Sequence, residues 1–231
     1  RARAAKSAFT IAHLGELLAR HEQFCAERSG NEKISPGVRW GIWWLALTAN
    51  RRFTITKLGR GALQANDPLN PYSTADQPWG IAEWPPELVK NKIPFMLPIP
   101  PIGLHIANSC IWDWGVLISK KRGFRDTTHW VFASTRRRNR DDHPANPDPS
   151  VYPSSLTAHL RALRGLRGTN KTDYLNDLPA FWPHLVRSVT TNFFALHRRT
   201  GPPAAASAML GHVLPSDKNI DHRQMSKTTE E

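Results

Sequence analysis

One segment limits the fold more than any other. Behind Ser35-Pro36, a capping residue followed by proline at the first helical position, the chain carries Val38, Trp40, Ile42, Trp43, Leu45 and Leu47. The helix this predicts is apolar almost all round, so it must be covered on every side and sit at the centre of a domain. A chain of 231 residues, 40% of them hydrophobic, has the material to cover it within one large domain or two small ones. The helix ends by delivering Asn50, Arg51 and Arg52.

The flanking sequence supplies the covering elements. Residues 9–29 read as an amphipathic helix, with Thr10 as cap, Ile11, Leu14, Leu17, Leu18, Phe24 and Cys25 near one face, and Gly30 as terminator. FTITKL at 53–58 alternates like a short strand. The stretch 65–101 is rich in proline and turn residues, and strand segments are expected in WGIAEWPP and IPFMLPIPP. A buried helix is predicted over 102–119 and a short strand over HWVFAS at 129–134. Residues 120–150 are basic, then rich in Asp and Pro, and read as loop. Helices follow over 155–165, 184–199 and 203–210, with Gly201 placed as a terminator and a polar tail over 213–231. Helices outweigh strands and no βαβ alternation appears, so the fold class is α+β, mainly α-helical, with a small antiparallel sheet. No window approaches the roughly 18 consecutive apolar residues of a spanning helix, which argues against a membrane protein.

Charge narrows the partner. The chain has 31 Lys and Arg against 19 Asp and Glu, a net +12, which favours polyanions through attraction and counterion release. Nucleic acid leads and an anionic membrane surface is second. The two cysteines, Cys25 and Cys110, lie far apart in a chain with no signal peptide; they read as free thiols in a reducing compartment and cannot make a zinc cluster between them. No metal site and no cofactor are expected.

Four features carry candidate chemistry. Arg51 and Arg52 at the end of a rigid helix either solvate its C-terminus or present a fixed fork to a phosphate. Lys90 and Lys92 precede an apolar strand-like run. His184 and Arg187, three apart in FWPHLVRS, share one helix face, beside Phe181, Trp182, Leu185 and Val186, which are expected to hold that helix end in the core. His212 follows Met209-Leu210-Gly211 at a glycine turn.

In this order the residues resemble the tyrosine recombinases, the phage integrase family. The family arginine follows a TGxR-like helix end, and LTANR puts Arg51 there, with Arg52 as the alternative. The family lysine lies on a β-hairpin ahead of a strand-closing proline, as Lys90 stands to Pro98. His184 and Arg187 match the HxxR box, His212 matches the histidine of LGH, and Ser226, Thr228 and Thr229 look like the segment before the nucleophilic tyrosine. The family glutamate after the first arginine is replaced here by Phe53 and Thr54. No tyrosine follows His212, the only ones being Tyr72, Tyr152 and Tyr174, so the nucleophile is expected just past Glu231.

The resemblance implies an integrase-type catalytic domain of DNA breaking-rejoining enzymes over 1–231, without the N-terminal core-binding domain. It implies site-specific recombination of double-stranded DNA through a 3′-phosphotyrosine, by a homotetramer in the bacterial cytoplasm, associated with the nucleoid. Arg51 and Arg187 would bind the phosphate, Lys90 would protonate the leaving 5′-oxygen, His184 would assist nucleophile deprotonation and His212 would hydrogen bond the phosphate. Arg52, Lys92, Lys120, Lys121, Arg122, Arg136, Arg138, Arg161 and Arg164 are the candidate contacts to surrounding DNA. Two rival readings stand beside this one: a type IB topoisomerase, and a DNA-binding module of the same fold that lacks the chemistry.

Overall fold

The computed structural model of the chain describes residues 9–30, 33–67, 70–89, 94–120, 128–134, 153–163, 178–179 and 181–196. Within them six helices and a three-stranded antiparallel sheet follow in the order α1 (Ile11–Ala26), α2 (Pro36–Thr48), α3 (Arg52–Thr56), β1 (Leu63–Gln64), β2 (Gly80–Trp84), β3 (Phe95–Ile99), α4 (Pro101–Ser119), α5 (Pro153–Leu163) and α6 (Pro183–Leu196). The architecture is mixed α+β and mostly helical. No helix among the described residues is long and apolar enough to cross a membrane.

The centre is α2. It packs against all five other helices, and Ile42, Trp44 and Leu45 on it are fully buried. Each neighbour offers it an apolar stripe: Leu14, Leu17 and Phe24 from α1, Leu104, Ile106, Ala107 and Cys110 from α4, Leu156, Leu160 and Leu163 from α5, and Val186 and Val189 from α6. The partly exposed side of α2 is closed by polar contacts. Arg39 donates from Nε to both oxygens of Glu22 on α1 (3.3 and 3.0 Å). Trp43 donates to the same carboxylate, and Trp40 donates from Nε1 to Asp113 Oδ2 of α4 at 2.8 Å. These indole and guanidinium donors let a helix rich in tryptophan meet two carboxylates without leaving buried N–H groups unpaired.

The sheet is a meander in the order β1-β2-β3, with Ala82 facing Leu97 and Trp84 facing Phe95. Its inner residues Ala82, Trp84, Leu97 and Ile99 belong to the same core as the helices. Trp84 Nε1 donates to the carbonyl of Thr54 at 2.8 Å, tying the sheet to α3.

Three expectations need correction. FTITKL is not a strand: Arg52–Thr56 form one helical turn, in which Thr54, Ile55 and Thr56 are buried in succession. HWVFAS is no strand of the sheet: it has only isolated bridge positions, among them Trp130 opposite Gly59. Its backbone bonds go instead to the loop after α3, with Val131 N–H on Leu58 O (3.0 Å) and Arg60 N–H on His129 O (2.7 Å). Finally, α4 is buried on one side only, and Ile102, Trp112 and Val116 face outward. The expected helix over 203–210, most of the expected loop over 120–150 (121–127 and 135–150) and the tail over 213–231 lie outside the described residues.

Gly37 shows how closely the segment after α4 is held to α2. A Cβ at this position would meet the backbone oxygen of Ala133 at 2.2 Å. Gly37→Ala therefore forces backbone to shift and is expected to lower the unfolding free energy by about 2 kcal/mol in urea denaturation. A change below about 0.5 kcal/mol would show that the segment is not packed this tightly.

Candidate functional site

The site is built from the end of α2. Its last residues, Trp44 to Thr48, are apolar or small, and the chain must then reverse to start α3 without exposing the core. It does so through Ala49, which takes the left-handed conformation (φ 53°, ψ 19°) and is completely buried. That conformation favours glycine and costs an L-residue about 1 kcal/mol or more. Ala49 occupies the glycine position of the TGxR-like pattern.

Local hydrogen bonds hold the reversal. Thr48 Oγ1 donates to Trp44 O at 2.8 Å and accepts from the Asn50 N–H at 3.3 Å. Trp44 Nε1 donates to Asn50 Oδ1 at 3.1 Å. Asn50 is thus a buried structural residue, and Arg51 follows it as the N-cap of α3 in an extended conformation, half-buried.

The second arginine comes from α6. Phe181 and Val186 anchor the start of this helix in the core, and Thr190 Oγ1 donates to Ala46 O of α2 at 2.8 Å. Trp182, by contrast, is exposed, which corrects the expectation that it helps bury the helix start. One turn in, Arg187 Nε donates to the carbonyl of Ala49 at 2.7 Å. The bond fixes the plane of the guanidinium and satisfies the carbonyl at the strained turn.

Arg51 and Arg187 are therefore neighbours. Burial, and then the charge of Arg51, push the Arg187 pKa down to about 10. Like charges kept together in a partly buried place are relieved by an anion with several acceptor oxygens, and two guanidinium forks match a phosphate. Arg52 does not take part in this pair. It is exposed and donates to Thr157 Oγ1 of α5.

His184 lies one helical turn before Arg187, exposed in the first turn of α6, where its carbonyl accepts from Ser188 Oγ at 3.0 Å. Lys120 is exposed at the end of α4, and Arg161 is exposed on α5. Lys90 and Lys92 fall in the connection between the antiparallel strands β2 and β3, and both lie outside the described residues. So do Lys121, Arg122, Arg136, Arg138, Arg164, His212, Ser226, Thr228 and Thr229. Of the five expected catalytic residues, the structure brings together Arg51 and Arg187, with His184 on the same helix as the latter.

Ala49 and Asn50 were missed from sequence as contributors. A non-glycine residue in the middle of TANR is the only trace they leave. A buried histidine pair, His21 and His159, was missed as well. Its signal is periodic, since His21 falls on the stripe Leu14, Leu17, Phe24 and His159 beside Leu156, Leu160 and Leu163.

The two arginines are separable by mutation. Arg187→Gln removes the donor to Ala49 O and should lower stability by about 1–2 kcal/mol, whereas Arg51→Gln should change it by less than about 0.5 kcal/mol in urea denaturation. Inorganic phosphate, compared with chloride at equal ionic strength, is expected to raise the unfolding midpoint of the wild type and not that of Arg51→Gln. Compared with known proteins, the chain matches no family model, no curated protein and no solved structure.

Proposed function

We propose that this chain is a catalytic domain of the tyrosine recombinase type, which cuts and rejoins double-stranded DNA by way of a 3′-phosphotyrosine. The observation that carries the reading is the hydrogen bond from Arg187 on α6 to the carbonyl of Ala49, two residues before Arg51, with the Arg51 charge acting on Arg187. The left-handed Ala49 in the glycine position of the TGxR-like pattern supports it, as does the net charge of +12.

The chemistry follows from the residue types. As a hydroxyl oxygen attacks a phosphodiester, negative charge gathers on the non-bridging oxygens, and two fixed guanidinium groups stabilise it more than they stabilise the ground state. Lys90, on the β2–β3 connection, gives its proton to the departing 5′-oxygen. His184 takes the proton of the attacking tyrosine, and His212 donates to the phosphate. The P–O bond to the 5′-oxygen breaks as the bond to the tyrosine forms, so the phosphotyrosine keeps the energy for religation and no nucleotide is consumed. The exposed Arg52, Lys120 and Arg161 contact phosphates on either side, which positions the duplex without reading its sequence. Assembly as a tetramer on paired sites belongs to the same proposal.

A second reading rests on the net charge of +12 alone, which suits duplex binding without any chemistry: a DNA-binding module of this fold without the cleavage step. One substrate separates the two. With a nicked suicide duplex and the intact gene product, the first reading expects a covalent protein–DNA adduct, and Arg51→Gln or Arg187→Gln should slow its formation by about 100-fold or more. Those substitutions should change duplex affinity by less than about tenfold. Salt-sensitive duplex binding with no adduct would establish the module instead, and no duplex binding at low salt would reject both.

A further inference from the structure

A second cluster joins α1 to α5, and it is independent of the reading above. His21 of α1 and His159 of α5 are both buried on apolar stripes, and they face each other with His21 Nδ1 and His159 Nε2 at 2.8 Å. Cys25, one turn after His21 on α1, places its Sγ 3.7 Å from His21 Nδ1. One donor atom from each of the three residues lies within 4.8 Å of the others.

We propose that His21, Cys25 and His159 form a binding site for a divalent transition metal ion of the zinc type, which fastens α1 to α5.

Three observations carry it. The donor set is two imidazoles and a thiol, the ligands that zinc prefers over hard cations. The i, i+4 spacing of His21 and Cys25 puts both on one helix face, and the third ligand arrives from a different helix, as a cross-linking site requires. His21 already has the supporting contact of a metal-bound histidine. Its Nε2 donates to the carbonyl of Arg39 at 3.0 Å, which fixes the tautomer with Nδ1 as the lone pair turned to the cluster.

The dimensions fit with a small adjustment. Bond lengths of about 2.05 Å to nitrogen and 2.3 Å to sulfur in a tetrahedron separate two nitrogens by about 3.3 Å and nitrogen from sulfur by about 3.6 Å. The distance from Cys25 Sγ to His21 Nδ1 is already met, the two nitrogens must open by about 0.5 Å, and His159 Nε2 lies within 4.8 Å of the sulfur, so the site closes by a movement of α5 relative to α1. Without metal, a proton on His159 Nε2 bridges to His21 Nδ1; on binding, that proton moves to His159 Nδ1 and the Cys25 thiol loses its own. One proton is released per ion, and water completes the fourth position.

The untagged full chain, treated with chelator and then titrated with Co²⁺ alone, tests this. One ion should bind per chain, with tetrahedral visible bands and a near-ultraviolet thiolate-to-cobalt band. Cys25→Ser should remove the thiolate band, Cys110→Ala should leave it, and His159→Gln should weaken binding by about tenfold or more. Absence of the band in the wild type, or its survival in Cys25→Ser, would overturn the proposal and leave a hydrogen-bonded histidine pair. Because either substitution can disturb the core, a second measurement uses the wild type: stoichiometric Zn²⁺ should slow alkylation of Cys25 at least tenfold, read by mass spectrometry at that residue. Equal labelling with and without Zn²⁺ would also overturn it.

Discussion

Everything in this molecule is arranged around a helix that is apolar nearly all round and keeps only a narrow, partly exposed side. Because α2 is apolar on nearly all sides, its stability is not separable from that of its neighbours, and five helices are held in place by what they remove from water. The tryptophans are the means by which this is reconciled with polar termini and loops. Trp44 is wholly buried yet satisfies Asn50, while Trp40 and Trp43 reach carboxylates on α4 and α1. The core is in this way both apolar and directional, and α1, α2 and α4 are fixed in rotation as well as in distance.

The same helix determines where the charged groups fall. A helix with a free end in solvent can fray, but α2 ends inside the protein, so its reversal has to be exact within a few residues. Ala49 accepts an unfavourable backbone conformation there, and the cost is offset by the carbonyl contact from Arg187 and the bonds among Trp44, Thr48 and Asn50. Arg51 is positioned as a by-product of that solution.

Much of this was legible in the sequence. Ser35-Pro36 with the apolar run behind it marks α2, Thr10 marks α1, and the proline-bounded runs at 80–84 and 95–99 mark β2 and β3. Errors arose where a run is too short for its period to be defined. The six residues of FTITKL fit a strand or a helical turn equally well, and burial of three in succession, which only tertiary packing decides, selects the turn. HWVFAS has strand-forming residues, but a strand needs a partner edge, and the nearest backbone is the irregular loop after α3. The pairing of Arg51 with Arg187 was anticipated only through a family resemblance, because nothing in local pattern relates residues so distant. The histidine pair is harder still: each histidine looks like an interruption of an apolar stripe until the two helices are placed side by side.

The contact from Arg187 to Ala49 spans 138 positions of the chain. During synthesis the central helix and its reversal emerge long before α6 does, so Arg51 leaves the ribosome as an ordinary surface cation. Only when the last described helix docks does a second guanidinium arrive beside it. A nascent chain that has not yet reached α6, or one clipped before it, thus keeps an excess of Lys and Arg but lacks Arg187, and general attraction to polyanions precedes completion of the arginine cluster.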